Sequence, residues 1–429
     1  MFISQKTLTE KASLNFSKIN PAEFNKACNN LCFEIEQVIP AVEVKNFIVG
    51  EIIECEDVAE THLHKCVVNI GTKKLNIICG APNARKGIKV VVALVGATTA
   101  EGLKIAPKEV RGFKSEGMLC GHNEIDKYFN DCLNKYDQEG IVELDKDAQI
   151  GDTNISKLLA LDEVVYELTL PTNRNDQAGA YFVLSDFASY FKTKFDLKSV
   201  NNENKILVDY KLSLNNDIST FGGLMLLDNI SHDLPTWKVK RDLLNNGIKI
   251  GCKTRTLVNE ISYYTGVAPL FFEGSTCPKV IKQRFAHKNE TITINSTEYV
   301  LDDTDVVLVD KDNNIIALDG IEVDDKYKVD PSNHSVLLYV SNLYFAYPRN
   351  TAIRLGISTN NTKYSKNTIT KFQANLFLRD LNKVFKNVLV TDPFSDVEEP
   401  RVIKFNVDDC IKFIGVNLRQ DQVINYLNP

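Results

Sequence analysis

The run Ile78-Cys79-Gly80-Ala81-Pro82-Asn83, followed further on by Arg111-Gly112 and by Ser115-Glu116-Gly117-Met118-Leu119-Cys120, decides how this sequence is read. Gly80, Pro82 and Asn83 end an apolar stretch with residues that favour turns over a continuing strand. Around that break lie short β-branched runs, Val44 to Ile53, Lys65 to Ile70, Leu75 to Cys79 and Val90 to Val95, separated by Gly, Pro and Asn. This pattern predicts a small β-barrel over 40–150. Within it Lys73, Lys74, Arg85, Lys86, Lys89, Lys104, Lys108, Arg111 and Lys114 far outnumber Glu101, Glu109 and Glu116. Such a local positive surface suits a phosphate backbone, and it is equally what an ordinary solvated face looks like.

The chain as a whole gives no such hint. It has 429 residues and a formal net charge of -6, with 44% hydrophobic and 25% charged residues. That is the composition of a soluble globular protein, long enough for about two to four domains. An acidic chain does not bind nucleic acid through its global field, so any RNA contact is local, and nothing points to DNA. Met1 to Phe16 carries charge throughout and lacks the apolar core of a signal peptide. The longest clean apolar run, Val90 to Val95, is strand-sized and far below a membrane span. Ten Cys without a secretion signal or a regular framework read as reduced, packed thiols of a cytoplasmic protein.

Outward from the barrel, Asn20-Pro21 predicts a helix start with Asn as cap and Pro at the first helical position. Leu161 to Leu170 reads as a strand and Ala178 to Phe191 as a helix, with a boundary near residue 200. From about 205 to 395, helices (Val239 to Asn245, Leu257 to Tyr264, Thr370 to Phe385) mix with strands (Thr291 to Ile294, Val306 to Val309, Ile315 to Ala317, Ser335 to Val340), an α+β pattern. Pro393 to Pro400 reads as an acidic linker, and Val402 to Leu427 as a strand followed by two short helices.

Smaller constellations carry less. His62, His64 and Cys66 alternate and would share a strand face, but no fourth ligand stands at a suggestive spacing, so no metal is expected. Cys28 and Cys32 are one helical turn apart and read as packed thiols. His287 with Asp302 or Asp303 is the remaining acid–base candidate, and its polar loop reads as surface. No nucleophile motif, phosphate-cradling loop or zinc signature is present.

The quoted stretch, in that order and spacing, resembles the OB-fold tRNA-binding domain near the start of the bacterial phenylalanyl-tRNA synthetase β subunit. Leu168-Thr169-Leu170-Pro171-Thr172-Asn173-Arg174-Asn175-Asp176 resembles that subunit's Pro-Asn-Arg-x-Asp corner with an extra Thr172. At this corner Asp176 or Asn175 would cap the helix, and Arg174 would hold a backbone carbonyl or an RNA phosphate, with the structural role preferred. The resemblance implies an α+β multidomain fold. An OB-fold β-barrel (40–150) is inserted in a small α/β, B1-like domain (1–39 plus 151–200). An α+β editing-like B3/B4 domain (201–395) follows, and then the start of a helix-rich B5-like domain (400–429).

In the family the editing domain hydrolyses tyrosine wrongly joined to the phenylalanine tRNA, which requires a polar group for the tyrosine hydroxyl. Here Gly266-Val267-Ala268-Pro269-Leu270 leads to Phe271 where the family has His. Val336-Leu337-Leu338 leads to Tyr339 where it has Glu, Thr359 stays, and Asn361 replaces a small Ala. The glycine-rich turn after Ala317-Leu318-Asp319-Gly320-Ile321 gives way to acidic residues. These departures imply one pocket blocked in several places, with no catalytic residue left.

The resemblance therefore implies a non-catalytic β subunit, or a shortened β-like chain, of phenylalanine–tRNA ligase. It would contribute tRNA binding and assembly, with editing lost. Its implied partners are tRNA and the synthetase α subunit, in a heterotetramer of two α and two β subunits. ATP and Mg2+ serve the complete synthetase, and no cofactor is expected on this chain. The family's chain continues further than this one. Two other readings stand beside this: a free-standing tRNA- or RNA-binding protein derived from the β subunit, and a stand-alone deacylase of mischarged tRNA.

Overall fold

The computed structural model describes residues 1–170, 174–197, 205–228, 230–329, 335–359, 369–392 and 404–427. Strands β1 (Phe2–Ser4) and β2 (Glu34–Ile39) bracket two helices, Gln5–Ala12 and Pro21–Asn30. The second helix starts as its sequence predicts, with Asn20 Oδ1 accepting from the Glu23 amide at 2.9 Å and Pro21 filling a position that needs no N–H.

The barrel follows as β3 (Phe47–Asp57), β4 (His64–Asn69), β5 (Lys74–Cys79) and β6 (Lys89–Leu94). After these come a hairpin of β7 (Lys108–Val110) and β8 (Phe113–Ser115), then β9 (Gly117–Leu119) and β10 (Glu143–Leu144). The sheet order is β10-β6-β3-β4-β5, with β9 also on β6. The Glu116 amide donates to the Asn76 carbonyl at 2.8 Å, which brings β9 against β5 and nearly closes the barrel. Alternation does the sorting: Cys66, Val68, Leu75 and Ile77 point inward, and their neighbours along each strand point out. Gly50 is required at the crossing of β3, because a Cβ there would lie 2.7 Å from Val68 Cγ1 and 2.8 Å from Val92 Cγ2.

The chain then returns to its beginning. β11 (Val165–Thr169) pairs antiparallel with β1 on one edge and β2 on the other. The helix Ala180–Tyr190 packs Val183, Leu184 and Phe187 onto Ile3, Leu8, Phe24 and Phe33.

The following region holds two five-stranded sheets. One has the order β12 (Lys205–Ile206), β23 (Leu389–Val390), β14 (Gly222–Asp228), β22 (Ser335–Ser341), β15 (Leu270–Glu273). The other has the order β13 (Lys211–Ser213), β16 (Val280–Phe285), β19 (Val306–Val309), β20 (Ile315–Leu318), β21 (Glu322–Val323). A short hairpin, β17 (Thr291–Ile294) with β18 (Thr297–Val300), completes the strands. The sheets share a core built from Leu224, Leu270, Phe272 and Tyr339 on one side and Ile281, Leu308 and Ile316 on the other. The outer face of the first sheet is covered by the helices Lys253–Thr265 and Lys371–Val384, through Val258, Ile261, Phe377 and Leu381. Thr370 and Gln373 close a reciprocal capping box on the second of these helices.

The helix Trp237–Leu244 does not stay with these sheets. Trp237, Leu243, Leu244, Ile248 and Ile250 join Val91, Ala93 and Leu144 in the core beside the barrel. Lys240 Nζ meets both carboxylate oxygens of Asp137 at 2.7 and 2.6 Å, and Asp145 accepts from the amides of Trp237 and Lys238. A segment well past residue 200 therefore packs as part of the barrel's flank.

At the far end the helices Val407–Ile414 and Gln420–Leu427 form as expected. The strand expected before them is not found at 404–406, and 402–403 and the acidic run 393–400 lie outside the described residues. Phe413 is 92% exposed. No described helix is long and apolar enough to cross a membrane.

Candidate functional site

Two regions carry the chemistry singled out in the sequence. The first is the barrel surface. Lys73, Lys74, Lys86, Lys104, Lys108, Arg111 and Lys114 are exposed, and the last three sit together on the β7–β8 hairpin, whose turn uses Arg111 at φ 51° and Gly112 at φ 81°. Two of the predicted basic residues are already engaged. Arg85 Nη2 donates to Glu143 Oε1 at 2.6 Å, and its Nη1 to the Asn83 carbonyl and the Tyr136 hydroxyl. Lys89 Nζ donates to the carbonyls of Lys146 and Ala148 at 2.5 and 2.7 Å. Their role in holding the barrel's edge is visible, and their charge is less available to a phosphate than the sequence implied.

His62, His64 and Cys66 do not assemble a ligand set. Cys66 is inside the barrel, His64 Nδ1 lies 2.8 Å from Asp57 Oδ1, and His62 is exposed. Among the described residues no three His, Cys, Asp or Glu side chains converge for a metal. Cys28 is buried in its helix while Cys32 lies beyond the helix end at φ 62°, so the two do not share a helix face. Arg174 pairs with Asp186 at 2.9 Å, and Gln177 donates to the same carboxylate oxygen, which is a structural role. The side chains of Asn175 and Asp176 lie outside those described. His287 is in an exposed turn whose amide donates to Glu290.

The second region is the interior of the two-sheet unit. The expectation of one pocket containing Phe271 and Tyr339 is corrected by register. Phe271 is paired with Leu338 and Leu270 with Tyr339, so Phe271 and Tyr339 project to opposite faces. Phe271 lies on the helix side among Val258, Leu338 and Phe377, with the Arg255 guanidinium 4.0 Å from its ring centre. Tyr339 lies between the sheets and is 2% exposed. Thr359 is half-buried and donates to the Ile321 carbonyl at 3.3 Å, while Asn361 is outside the described residues.

Around Tyr339 stands a polar cluster that the sequence reading missed. Asp319 Oδ2 accepts from the Tyr339 hydroxyl at 3.0 Å and from Gln283 Nε2 at 2.6 Å, and Gln283 also reaches Ser219 Oγ at 3.0 Å. Burial pushes the Asp319 carboxyl up to about 6, and the bonds from Gln283 and Tyr339 oppose that rise. Burial, then the nearby Asp319 charge, holds the Tyr339 phenol well above its ordinary range. A neutral phenol donating to a carboxyl is a packing and orienting device; it supplies no nucleophile. The available signal was Gln283 at an inward position of β16, where Ile281 two residues earlier is also buried.

Residues 47–153, which span the barrel, match the family described as "Putative tRNA binding domain". The nearly closed barrel with its basic hairpin is thus similar, over those residues, to a tRNA-binding domain. The chain is a homologue of phenylalanine–tRNA ligase β subunits over most of its length. It is 31% identical over 374 residues to the β subunit of Malacoplasma penetrans, covering 86% of this chain and 47% of that one. It is 27% identical to that of Ureaplasma parvum, covering 98% of this chain and 54% of the relative, and 30% identical to that of Streptococcus pneumoniae, covering 85% and 46%. The chain thus spans about half the length of the curated relatives it matches. An N-terminal fragment of the phenylalanyl-tRNA synthetase β subunit from Pyrococcus horikoshii is 14% identical, covering 62% of this chain and 76% of its own, with a TM-score of 0.29.

Proposed function

We propose that this chain is a non-catalytic, β-type component of phenylalanine–tRNA ligase that contacts tRNA through its barrel and does not edit. Its homology to the β subunits and the tRNA-binding match over 47–153 support the first part. The second part rests on Tyr339. In the family a Glu follows the same Val-Leu-Leu and receives the tyrosine hydroxyl of a mischarged tRNA. In this chain a buried phenol fills that position and is bonded to Asp319. The hydroxyl acceptor is replaced by a side chain that carries its own hydroxyl into the space, which removes the discrimination an editing pocket needs.

The finer layout belongs to the same proposal. The sheet of β1, β11 and β2 corresponds to the small B1-like domain, the two-sheet unit to B3/B4, and the helices after 404 to the opening of a B5-like domain. The partners would be tRNA and an α subunit in a heterotetramer of two α and two β subunits, in the cytoplasm. ATP and Mg2+ belong to the complete ligase, and no residue of this chain is assigned to them.

The test is a binding titration with phenylalanine tRNA beside deacylation of the same tRNA charged with tyrosine. Binding without hydrolysis above the spontaneous rate is expected. Hydrolysis would show that an editing site has been rebuilt from other residues, and absence of binding would remove the tRNA-contact role.

A further inference from the structure

The barrel offers more than charge on the side where the β7–β8 hairpin folds back. β4 and β5 are its second and third strands, and in small barrels of this kind that face and its bordering loops take oligonucleotides. The register sets Lys65 opposite Ile78, Val67 opposite Asn76, and Asn69 opposite Lys74, all on the outward side. This strip alternates amides and cations with apolar surface. The hairpin is fixed beside it, because Ser115 Oγ accepts from the Ile78 amide at 3.2 Å and Glu116 Oε2 from the Asn76 amide at 3.1 Å.

Phe113 stands on the same hairpin face as Ser115, two residues away, and so leans toward this strip. It is 37% exposed, and Lys65 Nζ lies 5.7 Å from its ring centre. Lys108, Arg111 and Lys114 surround it in sequence and are exposed. Of the acids on the hairpin, Glu109 stands opposite Lys114 across the strands and offsets that charge, while Glu116 is bonded to a backbone amide, which leaves Lys108 and Arg111 as the hairpin's uncompensated cations by register. An aromatic face with cations on its border fits a nucleobase and its phosphate better than it fits an apolar protein segment.

We propose that Phe113 is a stacking platform for an unpaired base of the bound RNA, with Lys65 and the hairpin cations on the adjoining phosphates. This deepens the tRNA-contact reading and rests on it. The base must be unpaired because in a helix both faces of each base are already stacked.

The experiment uses the full chain with phenylalanine tRNA, a single-stranded oligoribonucleotide and a blunt RNA duplex. Phe113→Leu keeps apolar bulk without a ring face and is expected to weaken tRNA binding roughly 5- to 100-fold, with an unchanged circular dichroism spectrum. Phe113→Trp is expected to retain affinity. Since the chain has one Trp, the buried Trp237, the added indole reports directly, with fluorescence quenched by the single strand and not by the duplex. If wild type binds tRNA and Phe113→Leu binds within twofold, the platform is wrong and the broader reading survives. Equal quenching by duplex and single strand would also overturn stacking. No binding by wild type overturns both.

Discussion

Phe271 and Tyr339 stand on neighbouring strands of one sheet and point to opposite faces of it, Phe271 toward the helices and Tyr339 toward the second sheet. The departures from the family pattern at these two positions are therefore not lesions of one cavity. The proposed loss of editing rests on the intersheet position alone, where a large buried ring is bonded to Asp319.

Tyr339→Glu is the change toward the family residue, and it is expected to damage the chain without creating a deacylase. The new carboxylate would face Asp319 in a space that already raises a carboxyl's pKa, and two such groups close together cannot both ionise. The lost ring also leaves a cavity. The combined cost is about 3 kcal/mol or more in urea unfolding, with hydrolysis of tyrosine-charged tRNA at the spontaneous rate. Normal stability together with measurable hydrolysis would mean that the site is close to intact.

Asp319→Asn tests the same cluster through pH. An unfolded Asp ionises near 3.9, whereas Asp319 in the native chain keeps its proton up to about 6. Below both values the group is protonated in both states and adds no pH dependence. Between them the unfolded chain has released a proton that the native chain retains, so stability falls as pH rises from about 4 to about 6 and then levels. The asparagine variant lacks this loss. Relative to wild type it is expected to gain about 2–3 kcal/mol between pH 4 and pH 7, read from denaturant unfolding at each pH.

Lys240 is 5% exposed, and its partner Asp137 belongs to the barrel's flank. Lys240→Met keeps most of the stem and leaves Asp137 with an uncompensated charge. A loss of about 3–5 kcal/mol is expected. The double variant Lys240→Met with Asp137→Leu is expected to recover much of it, since removing both charges also removes the desolvation cost. A single variant as stable as wild type would show that the pair does not hold this helix against the barrel.

How much of this was legible beforehand follows from what each pattern encodes. Thr291 to Ile294 and Val306 to Val309 were readable to the residue because β-branched runs bounded by polar turns admit little else. The helix after Asn20-Pro21 was readable from its cap. The packing of Trp237–Leu244 on the barrel was not, because an amphipathic helix declares that it has an apolar face and is silent on what covers it. The same holds for Phe271 and Tyr339: the residue identities were plain, but the face each occupies depends on a pairing register set by a strand far away in sequence. Charge was half legible. Lys108, Arg111 and Lys114 are exposed as expected, while Arg85 and Lys89 find partners in the segment 143–148 that no local pattern announces.

That division of the basic residues predicts a division in RNA binding. Each phosphate neutralised contributes about 0.7 to 0.9 to the slope of log affinity against log salt. Replacing Lys108, Arg111 and Lys114 by Ala is expected to flatten the slope for tRNA by about 2, as the loss of two to three phosphate contacts would. Arg85→Ala is expected to leave the slope almost unchanged, because its guanidinium is already bonded to Glu143 and Tyr136. Lys89→Ala should behave likewise in binding while lowering stability, since two carbonyls lose their shared donor. The measurement is a titration at several salt concentrations with each variant. A flat response to the hairpin triple variant, or a slope change confined to Arg85, would move the footprint off the hairpin and onto the opposite edge of the barrel.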